Sequence, residues 1–294
     1  MRIRPMRADD VAAAERITAR AFALPTPSAS GSSGAPNSSP AGRAPLARER
    51  WMDRLRHMLA VDPAGCWVAA DDDGVFGVAA ALRRDLLWVL STYAVDPDRQ
   101  REGAGTALLE AAIDYGHGCL RGMLCALPNP AALRRYRGAG FSLYPAFKLV
   151  GTVDHHVIPE IDGVRAATDR DLDLVDSVDR QVRGATHRPD HAFMTRYGQL
   201  LVCDLFTGSG YAYLDGSAIA LLAATNRSIA QRLLWAALAQ TPPGEEVTVR
   251  YLTSDQEWAL DVGLAAGLRV EMDGCLALRH MRPPVPYVPS VPFG

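Results

Sequence analysis

The sequence contains a glycine-bearing turn that reads Val95-Asp96-Pro97-Asp98-Arg99-Gln100-Arg101-Glu102-Gly103-Ala104-Gly105-Thr106. A strand-like apolar run precedes it, and it leads into a helix with Leu108, Leu109, Ala112 and Ile113 on one face. In such a turn the backbone N–H groups point into one concavity, and the helix N-terminus adds partial positive charge. Glycine at 103 and 105 lets phosphate oxygens approach the backbone. The turn predicts a pyrophosphate site, although a Gly-x-Gly turn alone more often only connects two elements.

A second motif follows in the order Asn129-x-x-Ala132-x-x-x-Tyr136-x-x-x-Gly140-Phe141. Asn129 and Pro130 are typical of an N-cap and a first helical position, so the motif lies on a helix. Together the two motifs resemble the GCN5-related N-acetyltransferase (GNAT) family, whose Gln/Arg-x-x-Gly-x-Gly/Ala turn binds acetyl-CoA. The turn is especially similar to that of the subgroup that acetylates ribosomal-protein N-termini, which says little about the substrate.

The resemblance implies a set of site residues. The acetyl and pantetheine portion would face the backbone of the strand residues before the turn, namely Tyr93, Ala94 and Val95. The turn itself would hold the pyrophosphate through Arg101, Glu102, Gly103, Ala104, Gly105 and Thr106. Asn129 would bind the pantetheine arm, or serve only as an N-cap. Tyr136 would lie beside the thioester sulfur as the catalytic acid, or serve only as a core aromatic.

The implied reaction is the attack of an uncharged amine on the thioester carbonyl. A backbone N–H at the end of the strand would stabilise the oxyanion, and a phenol can protonate the departing thiolate. The amine must first lose a proton, and the family often places a glutamate on the strand before Asn129 for this step. Here that strand reads Gly122-Met123-Leu124-Cys125-Ala126 and has no carboxylate. The general base is therefore unassigned, with a water chain or a residue of the second half as alternatives.

The second half of the sequence repeats the first in outline. Residues 256–268 align with residues 129–141, which places Gly263 at the position of Tyr136. Residues 223–228 replace the glycine turn. This copy should have lost the chemical residues and be retained for packing or for the shape of the acceptor groove. The charged segment 180–191 is interpreted as a solvated loop, with an acceptor site as the alternative.

The expected fold is therefore α/β, with two tandem GNAT-like domains, each a mixed, mostly antiparallel sheet flanked by helices. Residues 1–153 should form the acetyl-CoA-binding domain, with a mobile polar insertion at about 25–45. Residues 164–282 should form the degenerate domain, and residues 283–294 a proline-rich extended tail of unassigned role.

Composition excludes several other classes. The 294 residues include 31 basic and 33 acidic side chains, so electrostatic binding to nucleic acid or an anionic membrane is not expected. No signal peptide or membrane span is visible, and the five cysteines are scattered without a Cys-x-x-Cys pair. A cytoplasmic protein with reduced thiols is expected. No metal is expected either, because the spacing of His117, Cys119 and Cys125 matches no zinc pattern.

The sequence thus predicts an acetyltransferase that moves the acetyl group of acetyl-CoA to a primary amine of a small molecule or a peptide N-terminus. The missing carboxylate keeps a second function open, a non-catalytic acyl-CoA-binding sensor or scaffold. The identity of the amine, the acyl-chain preference and the oligomeric state are not predicted.

Overall fold

The computed structural model describes residues 1–23 and 43–294. Most of the predicted insertion at residues 25–45 therefore lies outside the described residues. The fold is mixed α/β with a mostly antiparallel sheet flanked by helices, as the sequence predicted. None of the described helices has the length and apolar character that crossing a lipid bilayer requires.

The first half opens with a short strand and two helices and continues with a three-stranded meander. The Asp71–Gly74 turn joins the first two meander strands, and its Gly74 adopts a φ of +119° that other residues rarely adopt. The elements are β1 (Arg2–Pro5), α1 (Val11–Ala23), α2 (Pro45–Val61), β2 (Cys66–Asp71), β3 (Gly74–Arg84), β4 (Leu87–Val95), α3 (Ala104–Tyr115), β5 (Arg121–Ala126), α4 (Pro130–Gly138) and β6 (Ser142–Thr152).

The second half repeats this order of elements and adds one short strand. Its elements are β7 (Val164–Ala166), α5 (Leu172–Val182), α6 (His191–Tyr197), β8 (Gln199–Leu205), β9 (Gly208–Asp215), β10 (Ala218–Ala224), α7 (Arg227–Ala239), β11 (Glu246–Thr253), α8 (Glu257–Ala265), β12 (Arg269–Arg279) and β13 (Tyr287–Val288). The repeat that the sequence indicated is thus a repeat of secondary structure.

The two halves share one sheet and exchange their last long strands. The strand order is β1-β2-β3-β4-β5-β12-β6-β11-β10-β9-β8-β7, with β13 added to β10. Cys275 of β12 lies opposite Ala126 of β5, whereas β6 pairs with β11 and β12. The segment predicted to close the sheet of residues 1–153 therefore lies beside strands of the second half. The boundary between the halves in the sequence therefore does not coincide with their boundary in the sheet.

The largest hydrophobic core lies between the two halves. It joins side chains from α1 and α2 with side chains from α5, β9 and β12, including Val11, Leu55, Val175, Tyr211 and Leu276. Two further cores lie on the opposite faces of the halves, one under α3 and α4 and one under α7 and α8. Because the central core is shared, the two halves pack as one structure.

The proline-rich segment 283–294 is packed against the protein. Tyr287 and Val288 pair antiparallel with Ala223 and Leu222 of β10, and Phe293 is 2% exposed. The segment predicted as an extended tail thus contains the short strand β13 and places these side chains in the core.

Candidate active site

The strands β4 and β5 separate part-way along their length. They pair in parallel only where Leu87–Val89 faces Arg121–Met123. Beyond this point β4 continues to Val95 and β5 to Ala126, and within the described chain no strand fills the space between them. A gap therefore opens between two strand ends, where the backbones of β4 and β5 do not pair with each other. The Val95 carbonyl oxygen at the end of β4 accepts a hydrogen bond from the Gln100 side chain at 3.3 Å.

A bulge in β4 lies at the start of this gap. The register between β3 and β4 shifts at Ser91, which has no partner residue across the ladder. The Ser91 hydroxyl oxygen is buried and makes no hydrogen bond to any residue in the described ranges. Sequence analysis missed this residue, because nothing in an apolar run distinguishes a bulge position from its neighbours.

The turn between β4 and α3 is held in place by its own side chains. Asp96 accepts a hydrogen bond from the Asp98 N–H at 3.1 Å. The Arg99 guanidinium donates to Asp71 at 2.7 Å and to Glu102 at 3.2 Å. Because the Glu102 carboxylate is bound to Arg99, its predicted contact with pyrophosphate would have to come from its backbone.

The turn ends in a helix N-terminus without a side-chain cap. Gly103 is the N-cap of α3 with a φ of +86°, and the preceding Arg101 has a φ of +74°. The first backbone hydrogen bond to this cap comes from the Ala107 N–H. The N–H groups of residues 104–106 are therefore available at the positive end of the helix dipole, which is the arrangement that binds phosphate.

The side chains of the predicted β4 residues serve packing. The Tyr93 hydroxyl donates to the Gly105 carbonyl oxygen at 2.8 Å and so ties β4 to α3. A Cβ atom at residue 105 would lie 2.7 Å from that hydroxyl, which explains the glycine. Ala94 is buried and Val95 half-buried. Their predicted contacts with acetyl-CoA rest on the backbone alone.

Ala104 is buried in the first turn of α3, whereas Thr106 is exposed.

Asn129 caps α4 with its carbonyl oxygen. This oxygen accepts hydrogen bonds from the N–H groups of Ala131 at 3.0 Å and Ala132 at 3.1 Å. The side chain is exposed, and its NH₂ group makes no hydrogen bond to the described residues. The cap and the predicted contact with pantetheine use different ends of the same amide.

Tyr136 is buried on the face of α4 that packs on the sheet. Its ring centroid lies 6.1 Å from that of Tyr93 and 6.5 Å from that of Phe141. Burial raises the pKa of the Tyr136 phenol well above its ordinary value, and the nearby Tyr93 and Cys275 add to this rise. No group in the described ranges hydrogen bonds to the hydroxyl. The phenol therefore keeps its proton at neutral pH and can donate it.

The second half supplies part of the wall around Tyr136. Cys275 and Ala277 of β12 belong to the same core cluster as Tyr136, Leu124 and Ala126. A Cβ atom at Gly274 would lie 2.2 Å from the Ala126 carbonyl oxygen, so β12 approaches β5 closely here. Sequence analysis could not assign these residues to the site, because β12 follows β5 by more than a hundred residues.

Among residues 1–23 and 43–294, no free carboxylate lies beside the end of β5. Asp273 lies next to this strand end, but both of its oxygens are engaged. Arg250 donates to it at 2.6 and 3.1 Å, and the Tyr251 N–H at 3.1 Å. Asp273 thus holds the Arg250 side chain and the Tyr251 backbone in place.

The equivalent gap in the second half is occupied by the chain itself. Strands β10 and β11 pair only at Ala218–Ile219, and β13 then adds to β10. The side chain of Gln256, which aligns with Asn129, donates to the Pro284 carbonyl oxygen at 2.7 Å and accepts from the Tyr287 N–H at 3.1 Å. The polypeptide thus fills the place where a cofactor arm would lie.

The second half differs from the first in two further features. Only residues 225–226 connect β10 to α7, and Asn226 caps this helix by accepting from the Ile229 N–H at 3.0 Å. At Gly263 a Cβ atom would lie 2.4 Å from the side chain of Leu149 on the exchanged strand β6. The second half therefore has a capped helix in place of the phosphate turn and no room for a tyrosine.

The charged segment 180–191 is not the solvated loop that the sequence favoured. Arg183, His187, Asp190 and His191 are each at most 2% exposed, whereas Arg180 and Arg188 are exposed. Arg183, His187 and His191 are paired with groups of the second half, such as Asp179 at 2.8 Å from His187, whereas Asp190 meets partners from the first half.

Asp190 is the centre of this buried network. Its carboxylate binds Arg84 at 2.7 Å and His57 at 2.9 Å, and Arg84 also binds Asp62 at 2.8 Å. Burial opposes ionisation of Asp190, but the hydrogen bonds from Arg84 and His57 outweigh it and lower its pKa to about 2. This network joins α2 and β3 of the first half to the second half.

One group of possible metal ligands occurs among the described residues, formed by Asp176, Asp179 and His191. Its side chains already bind protein groups, including Tyr213 at 2.9 Å from His191 and Arg188 at 2.6 Å from Asp176. Hydrogen bonds and ion pairs within the protein therefore explain why these three side chains lie together.

Part of the first half matches the model of a known family. Residues 36–141 match the family model described as acetyltransferase (GNAT) family. This part of the chain is therefore similar to the GNAT family. Members of this family use acetyl-CoA and act on amines. No curated protein matches the sequence significantly.

Solved structures resemble this chain over both halves. An inferred acetyltransferase of Pyrococcus horikoshii is 18% identical with a TM-score of 0.71, covering 96% of this chain and 89% of that one. A GCN5-related N-acetyltransferase of Sphaerobacter thermophilus is 17% identical, with a TM-score of 0.59 and coverages of 97% and 96%. A tandem GNAT protein of the clavulanic acid biosynthesis pathway is 16% identical, with a TM-score of 0.56 and coverages of 94% and 97%. At these identities the likeness shows the fold, including its second half.

Proposed function

We propose that this protein transfers the acetyl group of acetyl-CoA to a primary amine of a small molecule or a peptide N-terminus. The observation that carries the proposal is the uncapped start of α3 beside the gap between β4 and β5, with the protonated Tyr136 near that gap. A phosphate site, a slot for an extended arm and an acid are three requirements of thioester aminolysis.

The residues present fit acetyl-CoA. Space is open around Gly103, where a Cβ atom would meet no atom within 4 Å, so the backbone is accessible to a diphosphate. The gap between the strands suits an arm that bonds to backbone as a strand does. In the second half a peptide segment lies in the equivalent gap and binds Gln256. By analogy, we assign the free NH₂ group of Asn129 to an amide oxygen of pantetheine.

Acetyl-CoA, once bound, supplies an acyl group activated as a thioester. The N–H groups of residues 103–106 would hold the diphosphate, and the backbone at Tyr93–Val95 would orient the acyl end. As the amine nitrogen bonds to the carbonyl carbon, a backbone N–H near Val95 would stabilise the oxyanion. When the C–S bond breaks, the Tyr136 hydroxyl would give its proton to the sulfur. Proton removal from the amine falls to water or to a group on the substrate side.

We propose that residues 1–153 carry the cofactor site and that residues 164–282 complete it. Strand β12 covers the edge of β5, and its Cys275 packs in the cluster that holds Tyr136. The described cysteines are all free, which fits action in the cytoplasm, where we place the protein.

The test is release of free CoA thiol from acetyl-CoA across a panel of amines. The panel should contain polyamines, amino sugars, amino acids and peptides with different N-termini. We expect amine-dependent thiol release with at least one class and an acetylated product by mass spectrometry. Tight CoA binding with no release for any amine would instead favour the sensor, and absence of CoA binding would reject both.

A further inference from the structure

Arg135 on α4 reaches across to the first turn of α3. Its guanidinium carbon lies 3.3 Å, and its Nε 3.5 Å, from the position that a Cβ atom of residue 105 would take. The side chain is half-buried in this position. Since Gly105 is in the first turn of α3, the guanidinium lies beside the N–H groups assigned above to the diphosphate.

This cation has no acidic partner in the described part of the chain. Its neighbour Arg137 donates to the Phe141 carbonyl oxygen at 2.6 Å, but no carboxylate lies within ion-pair distance of Arg135. Its guanidinium donates a hydrogen bond to the Tyr93 hydroxyl, which is neutral. Burial raises the pKa of Tyr93, and the positive charge of Arg135 offsets part of that rise.

The position is unfavourable for a cation in isolation. The N-terminus of α3 carries partial positive charge, so it repels a guanidinium placed beside it. A half-buried charge also loses hydration, and a neutral hydroxyl does not compensate the charge as a carboxylate would. Both costs are removed when an anion binds between the helix and the guanidinium. The arrangement thus indicates an anionic ligand, and two planar N–H pairs of arginine match phosphate oxygens well.

We propose that Arg135 is a side-chain ligand of the diphosphate of acyl-CoA, which it holds against the N-terminus of α3. This inference rests on the proposed function and adds a residue to its cofactor site. It also gives a second reason why residue 105 is glycine, because a side chain there would push Arg135 away from the helix. The sequence gave no signal for this role, since Arg135 is one of three arginines on α4.

The test compares Arg135→Gln with Arg134→Gln, which changes an exposed arginine on the same helix. Binding to the full chain is measured by calorimetry or NMR titration for three probes: CoA, 3′-dephospho-CoA and pantetheine. Dephospho-CoA retains the diphosphate, whereas pantetheine has none. Thermal melting establishes that each variant is folded.

A hydrogen bond to a charged group contributes about 1.5–3 kcal/mol. We therefore expect Arg135→Gln to lower the affinity for CoA and dephospho-CoA by about 10- to 100-fold and to leave the affinity for pantetheine unchanged. Arg134→Gln should bind all three probes as the unmodified protein does.

Three outcomes would overturn the assignment. Weaker binding of CoA with normal binding of dephospho-CoA would place Arg135 at the 3′-phosphate. An equal loss of affinity for pantetheine would mean that Arg135 serves only packing. Unchanged binding of all probes would remove it from the site. Failure of the unmodified protein to bind CoA would instead reject the proposed function itself.

Discussion

The Oε1 atom of Gln256 accepts a hydrogen bond from the Tyr287 N–H at 3.1 Å, while its Nε2 donates to Pro284. In the first half the aligned Asn129 binds only its own helix, and its NH₂ group remains free. The same position thus serves a fixed peptide in one half and is open to a ligand in the other.

We expect each chain to bind one molecule of acetyl-CoA. In the second half β13 occupies the gap beside β10, and Asn226 caps the helix that would otherwise face a diphosphate. Native mass spectrometry of the chain saturated with acetyl-CoA gives the number directly. Two bound molecules would show that β13 can be displaced.

Gly103→Asp should abolish acetyl-CoA binding in a folded protein. The new side chain would carry negative charge at the diphosphate, and the φ of +86° disfavours a side chain. Gly118→Asp is the matched control, because Gly118 has a φ of +88° and equally open surroundings outside the turn. Calorimetry should show binding lost only at position 103. Equal affinity of both variants would exclude this turn from the site.

Tyr136→Phe should lower kcat by about 10- to 10⁴-fold with little change in acetyl-CoA affinity, since only the proton donor is removed. Because burial raises its pKa above the ordinary value near 10, the phenol should stay protonated up to about pH 10. Its ionisation should therefore not limit the rate at alkaline pH. Tyr213→Phe, a buried tyrosine bound to His191, is the control and should keep kcat. An unchanged rate in Tyr136→Phe would reassign the residue to packing.

Asp190→Asn should destabilise the protein by about 3–5 kcal/mol, because it leaves the buried Arg84 with less compensation. The folded pKa of Asp190 is about 2, below its ordinary value of 3.8. Its contribution to stability is therefore complete above pH 3.8 and is lost as the pH falls towards 2. Urea unfolding at several pH values measures both effects. Asp173→Asn, at a residue 86% exposed, should leave the midpoint nearly unchanged.

The sequence predicted those parts of the fold that depend on local signals. The turn at residues 96–103 and the cap at Asn129 follow from residue types within a few positions, so they could be recognised. The exchange of β6 and β12 could not, because both are long apolar strands that would fit either edge. The charge of Asp190 looked solvated, since its partners Arg84 and His57 are more than a hundred positions away.

Residues 1–153 produced alone should fail to form a stable protein. Without the second half, β5 would lose one of its two partner strands, and β6 would lose both of its neighbours. Circular dichroism should show no cooperative thermal transition for the fragment. Production of 154–294 together with it should restore CoA binding. A fragment that melts cooperatively by itself would mean that β6 can take the place of β12.

The strand exchange also sets an order of events during synthesis. When the ribosome has completed β5, the strand that will cover it is still more than 140 residues from being made. Because contacts this distant in sequence form slowly, the edge of β5 should remain open until translation is nearly finished. During that interval the nascent chain would present an unpaired apolar strand and is expected to need a chaperone. Completion of the first half is thus timed by the last long strand of the second half.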